Sequence, residues 1–137
     1  MNAKQIELVQ SSWQDVPYTL EETATRFYTK LFELDPALKR LFRGDMKEQG
    51  RKSMAMLSFI VGSLGRMEEI VPALRSLGTR HAGYGVRDEH YGTVGAALLT
   101  TLQTALGAGF TEEVRSAWVA ALETLAGTMQ EAAKAEA

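Results

Sequence analysis

The sequence predicts an all-α domain, and three observations carry that expectation. Apolar residues recur at steps of three and four along nearly the whole chain. No run alternates with the period of two that a half-buried strand needs. Proline, glycine and short polar capping residues divide the chain into about seven or eight helices with short connections.

The elements follow in order. Ile6, Val9, Trp13 and Val16 place a helix over residues 4–16, and Pro17 ends it. Leu20, Ala24, Phe27, Leu31 and Leu34 form a longer second stripe. Asp35-Pro36 is a helix-start signal, a capping carboxylate followed by proline, and opens a short helix to about Leu41. Phe42-Arg43-Gly44-Asp45 reads as a corner. The next helix, Met46 to about Gly65, carries two stripes. Met54, Leu57, Val61 and Leu64 make an ordinary core face. Gln49, Ser53, Met56 and Ile60 make a neighbouring face, so the helix touches two things at once, and the polar pair within it fits either a helix edge grading into solvent or one wall of a pocket. One or two short helices follow over Glu68–Ser76, with Pro72 in a first turn. Asp88 caps a helix faced by Tyr91, Val94, Leu98, Leu102 and Ala105, which Gly107-Ala108-Gly109 breaks. Thr111 caps the last helix, striped by Val114, Trp118, Leu122, Leu125 and Met129, and the polar tail from Glu131 is expected to fray.

Composition narrows the function classes. The 137 residues read as a single domain, 1–137, with no reductase domain. With 15 basic and 17 acidic residues the net charge is −2, so no basic field attracts nucleic acid or an anionic membrane. The charged start lacks the apolar run of a signal peptide, and no stretch is long enough to span a bilayer, so the expected location is cytoplasmic. The chain has no cysteine, which removes disulfides, thiolate metal sites and cysteine nucleophiles. It has two histidines, His81 and His90.

His81 lies on the face of Leu74, Leu77 and Gly78, just before Gly83 and Gly85 stop the helix. One ring nitrogen can then meet a free carbonyl one turn back, near Leu77, while the other points at a metal. A core histidine satisfied by that carbonyl fits the same residues, and the segment alone leaves both readings open. His90 reads as a surface or structural histidine.

The ordered set of signals resembles the globins, from about Ile6 to Met129. It runs from Trp13 through Phe27-Tyr28, Leu31-Phe32, Pro36 and Leu41-Phe42 to Gln49-Gly50-Arg51-Lys52-Ser53-Met54. It continues with Leu77-Gly78, His81, Gly85-Val86, His90-Tyr91, Val94-Gly95, Phe110-Thr111 and Ala117-Trp118. The set is most similar to bacterial single-domain globins of the flavohemoglobin branch, with a neuroglobin-like Ser76–Gly85.

This resemblance implies a globin fold around haem b, with His81 as the axial iron ligand. It places Tyr28 and Gln49 on the distal, gas-binding side, with Ser53 one turn beyond. Phe42 packs on the haem face at the corner, and Met56 and Ile60 line the deeper wall. Val86, Tyr91 and Val94 close the proximal side, and Lys52 and Arg80 meet the propionates. Ala24 and Gly50 permit a close helix crossing. The implied ligands are dioxygen, nitric oxide and carbon monoxide. Phenol and amide donors at Tyr28 and Gln49 imply tight binding of dioxygen and slow release. Two departures stand out. Ser53 occupies a position usually filled by a branched apolar residue. The last-helix glutamate that partners the proximal histidine and a tyrosine in flavohemoglobins aligns with Ala133, so that triad is incomplete. The expected function is oxygen binding or scavenging, or nitric oxide detoxification, in a monomer or weak homodimer. Two alternatives remain: a nitric oxide dioxygenase served by a separate reductase, and a haem-free globin-like interaction module.

Overall fold

A computed structural model describes residues 1–135. Among the described residues the chain forms six α-helices and three short 3₁₀ segments, with no strand. The helices are α1 (Ala3–Gln14), α2 (Leu20–Leu34), α3 (Met46–Gly62), α4 (Met67–Gly83), α5 (Asp88–Leu106) and α6 (Glu112–Ala135). The 3₁₀ segments are Pro36–Leu41, Leu64–Arg66 and Gly107–Gly109. No described helix is long and apolar enough to cross a membrane.

The local signals act as capping chemistry. Asn2 and Gln5 exchange side-chain and backbone bonds at the start of α1, as Thr19 and Glu22 do at α2, so orphan N–H groups are satisfied at both ends. The Asp35 carboxylate accepts from the Ala37 N–H, and Asp45 accepts from Lys47 and Glu48 at the start of α3. Gly44, at φ 84°, makes the preceding corner in a left-handed conformation that side chains resist. The Thr111 hydroxyl accepts from the Val114 N–H.

Apolar stripes then choose the partners. The α1 helix packs on α6 and α3, α2 crosses α3 and α5, and α4 lies along α6. Val9, Leu31, Leu74, Leu102 and Trp118 are the fully enclosed centre. Trp118 donates its indole N–H to the Ser12 hydroxyl at 2.8 Å, and Trp13 donates to Ser58 at 2.9 Å, so neither ring leaves a buried donor unpaired. Two crossings are unusually close. A Cβ on Gly50 would lie 2.9 Å from Ala24 Cβ, as the small residues at that crossing predict. A Cβ on Gly78 would lie 2.2 Å from the Met129 carbonyl oxygen, so α4 rides directly on the α6 backbone.

Three expectations are corrected. Residues 67–83 form one helix, without a break between Ser76 and His81. Pro72 removes only the bond to the Glu68 carbonyl, which lies in the first turn, and both residues are exposed, so the freed carbonyl need not be buried. At α5, Asp88 is the first helical residue and Arg87 the cap; the Arg87 backbone N–H donates to His90 Nδ1 at 2.9 Å. The tail does not fray at Glu131. Ala132 is buried, and Lys134 pairs with Asp88 at 3.6 Å, which carries the helix to Ala135. Glu136 and Ala137 lie outside the described residues.

Candidate functional site

The helices α3 and α4 make no more than marginal contact, and only the Leu64–Arg66 turn separates them in sequence. Of the predicted site residues, Gln49, Lys52, Ser53, Met56 and Ile60 lie on α3 and Arg80 and His81 on α4, while Tyr28 lies on α2 and Tyr91 and Val94 on α5. At the open end of α4 the chain turns through Gly85 (φ 95°), and a Cβ there would lie 3.4 Å from Leu41 Cδ2. The end of α4 therefore meets the corner that carries Phe42.

On the α4 wall, His81 Nδ1 lies 2.8 Å from the Leu77 carbonyl oxygen. A carbonyl only accepts, so Nδ1 carries the proton and Nε2 is the bare nitrogen. The His81 carbonyl accepts from Tyr84 and Val86 N–H groups, which places Val86 against the histidine turn. Burial holds the half-buried imidazole below its ordinary pKa; the Leu77 bond opposes this and the neighbouring Arg80 charge adds to it. The ring is thus neutral at pH 7, as a metal ligand must be.

The α2–α3 wall is built around Tyr28. Its ring meets Phe27 edge-on at 5.1 Å, stacks on Phe32 at 5.8 Å and meets Phe42 edge-on at 5.1 Å. Its hydroxyl donates to Ser53 Oγ at 3.1 Å. Burial raises the phenol's pKa, against the pull of the serine hydroxyl, so it keeps its proton. Gln49 Oε1 is buried and has no hydrogen-bond partner. A buried amide oxygen left unpaired costs stability, so it marks a place where something polar is expected to bind.

The remaining residues fall less tightly. Ile60 is buried in the core cluster, whereas Met56 and Val94 are exposed apolar groups. Lys52 and Arg80 are exposed. Tyr91 lines a groove of about 430 Å³ between α5 and α6 with Leu99, Leu122 and Gln130. It makes no hydrogen bond to His81, whose one side-chain bond goes to Leu77. Glu131 is exposed and Ala133 half-buried, so no α6 carboxylate meets the imidazole. Sequence reasoning assigned no role to Phe32, whose stack on Tyr28 was signalled only by its four-residue step. It also missed Phe59, which is 55% exposed one turn from Met56. Among the described residues no three His, Cys, Asp or Glu side chains gather as a multidentate metal site would require.

Residues 25–129 match the family described as Globin. The chain belongs to the globin family. Over 124 residues it is 33% identical to a flavohemoprotein of Bacillus cereus, covering 86% of this globin but only 30% of that protein. It thus spans less than a third of the length of the flavohemoproteins it matches. It is 30% identical over 136 residues to an anaerobic nitrite reductase of Oryza sativa subsp. indica, covering 95% of this globin and 94% of that protein. A hexacoordinated heme protein from an anhydrobiotic tardigrade superposes with a TM-score of 0.86 at 18% identity, over 98% of this globin and 96% of that chain, which establishes the shared fold.

Globin membership implies haem, and the residues present fit it. A bare imidazole nitrogen, an orphaned buried amide oxygen and exposed apolar side chains on α3 and α5 are features that a flat, apolar, iron-bearing group would satisfy together.

Proposed function

We propose that this globin binds haem b through His81 Nε2 and holds dioxygen and other diatomic gases on the Tyr28, Gln49 and Ser53 side. Haem iron held by one neutral imidazole supplies an open sixth position for a gas ligand. The single observation that carries this reading is the His81–Leu77 bond, which fixes the tautomer and aims the free nitrogen away from its own helix. The chain has no cysteine, so a thioether-attached haem has no anchor in it, which supports the b-type reading. Phe42, Met56, Ile60, Val86, Tyr91 and Val94 would supply apolar contact to the group, and Lys52 and Arg80 would pair with its carboxylates. Tyr28 keeps its proton and donates it to a polar ligand. Gln49 donates through its amide N–H₂ or accepts through its unpaired oxygen. Retention of dioxygen rather than rapid exchange is the consequence, which suits scavenging or storage.

A second reading adds turnover, and the likeness to proteins named flavohemoprotein and anaerobic nitrite reductase favours it. In that reading nitric oxide and dioxygen combine to nitrate, with one electron per nitric oxide drawn from a separate reductase.

The deciding experiment is the absorption spectrum of the purified protein, oxidised, reduced, and reduced under carbon monoxide, beside His81→Ala. The expected result is a strong haem band that shifts with carbon monoxide and is lost or altered in the variant. No haem band after addition of haem overturns the reading and leaves a haem-free interaction module. Rapid reduction of the oxidised form by a cellular reductase, with nitrate produced from nitric oxide, selects the enzymatic form.

A further inference from the structure

Ser53 is the second polar residue, after Gln49, on one face of α3, and the structure gives it a partner on α2. Tyr28 has one proton to donate, and it goes to Ser53 Oγ at 3.1 Å. Gln49 does not compete for it, since its buried oxygen has no partner. The phenol cannot swing away freely, because Phe27, Phe32 and Phe42 enclose its ring. The spacing is held from the other side too. A Cβ at Gly50 would meet Ala24 at 2.9 Å and Tyr28 Cε2 at 3.3 Å, so α2 and α3 approach as closely as glycine permits. Ser53 also differs from the helical hydroxyls around it. Thr23, Thr25, Thr29, Thr100, Thr101, Thr124 and Thr128 each turn back to the carbonyl four residues earlier. Ser53 makes no such bond and meets Tyr28 instead.

Resting on the gas-binding reading above, we infer that Ser53 is a specificity-determining residue that holds the Tyr28 proton in the empty site. A ligand that accepts hydrogen bonds must win that proton from the serine. Dioxygen therefore gains only the difference between two hydrogen bonds, and is held less tightly than the tyrosine alone would hold it. Carbon monoxide is a poor acceptor and gains little from the tyrosine in either case. Ser53 thus lowers the preference for dioxygen over carbon monoxide without touching the iron side of the site.

The test uses the haem-loaded protein and three variants, Ser53→Ala, Ser53→Thr and Tyr28→Phe, with Ser53→Ala also made in the Tyr28→Phe background. Ser53→Ala is expected to slow dioxygen dissociation about five- to tenfold, the scale of one neutral hydrogen bond. Carbon monoxide dissociation should stay within about twofold, because so poor an acceptor gains little even when the phenol turns toward it. The infrared stretch of bound carbon monoxide should move to lower frequency as the phenol proton turns toward it. Ser53→Thr keeps the hydroxyl and should keep the wild-type ratio of the two gases. In the Tyr28→Phe background Ser53→Ala should have no effect on dioxygen. Unchanged or faster dioxygen dissociation in Ser53→Ala, or an equal effect without the tyrosine, overturns the inference while the gas-binding reading stands. If no variant shows a carbon-monoxide-sensitive haem band, the gas-binding reading fails and this inference fails with it.

Discussion

The two sides of the candidate site are built on opposite plans. On the α2–α3 side three phenylalanine rings and one close helix crossing immobilise a single phenol, and the polar atoms there are either paired with each other or left waiting. On the α4 side His81 stands near the end of its helix beside exposed Gly83, Tyr84 and Gly85, with one backbone carbonyl as its guide. Its rigidity comes from behind, where Gly78 sits on the Met129 backbone. The contrast teaches a division of labour. One wall discriminates by hydrogen bonding and needs side-chain precision, while the other anchors and needs only a helix that cannot shift.

The comparison breaks most readily at Gly78. In Gly78→Ala the new methyl would lie 2.2 Å from a backbone oxygen that cannot move aside as a side chain can. The loss is expected to be about 3 kcal/mol, or roughly 10 °C in Tm, read by thermal unfolding with and without haem. A variant as stable as the parent would show that α4 is free to slide on α6, and the rigid-anchor account would fail. Tyr28→Phe probes the opposite wall. It should speed dioxygen dissociation about tenfold, leave carbon monoxide nearly unchanged and cost little stability, since the ring cluster persists. Equal effects on both gases would mean that the ring's shape matters more than its proton.

The smallest effect is one of pH. His81 is held neutral in the fold by burial, below the ordinary value of 6.5. Below that value the unfolded chain takes up a proton that the folded chain refuses, so stability falls with pH until the lowered native value is reached. Urea midpoints of the haem-free protein between about pH 7 and pH 5 should decline, and His81→Ala should remove part of that slope. A slope unchanged in the variant would assign it to other groups and leave the α4 wall without this titration.

Much of this was legible in residue order. The stripe of Met54, Leu57, Val61 and Leu64 set one face of α3, and the second face of Gln49, Ser53, Met56 and Ile60 was readable as a line that grades from buried Ile60 to exposed Met56. The carbonyl near Leu77 was readable as the partner of His81, because helix spacing alone puts it one turn back. The small pair Ala24 and Gly50 was readable as a crossing. Pro72 misled, because proline is a strong breaker in sequence and a mild one in an exposed second turn. Asp88 misled for a similar reason: it is a good capping type, but the cap position fell one residue earlier and His90 supplied the acceptor.

Local chemistry, then, determined which segments are helices, where most of them begin, and that one histidine presents a bare nitrogen, since caps, breakers and i to i−4 bonds act within a few residues. Only the tertiary structure decided that the Tyr28 hydroxyl bonds to Ser53 rather than Gln49, that Gly78 rides on Met129, and that Ala132 carries α6 to its end. Each of those depends on how far two helices rotate and approach, which is set by packing across residues 25 to more than 50 positions apart.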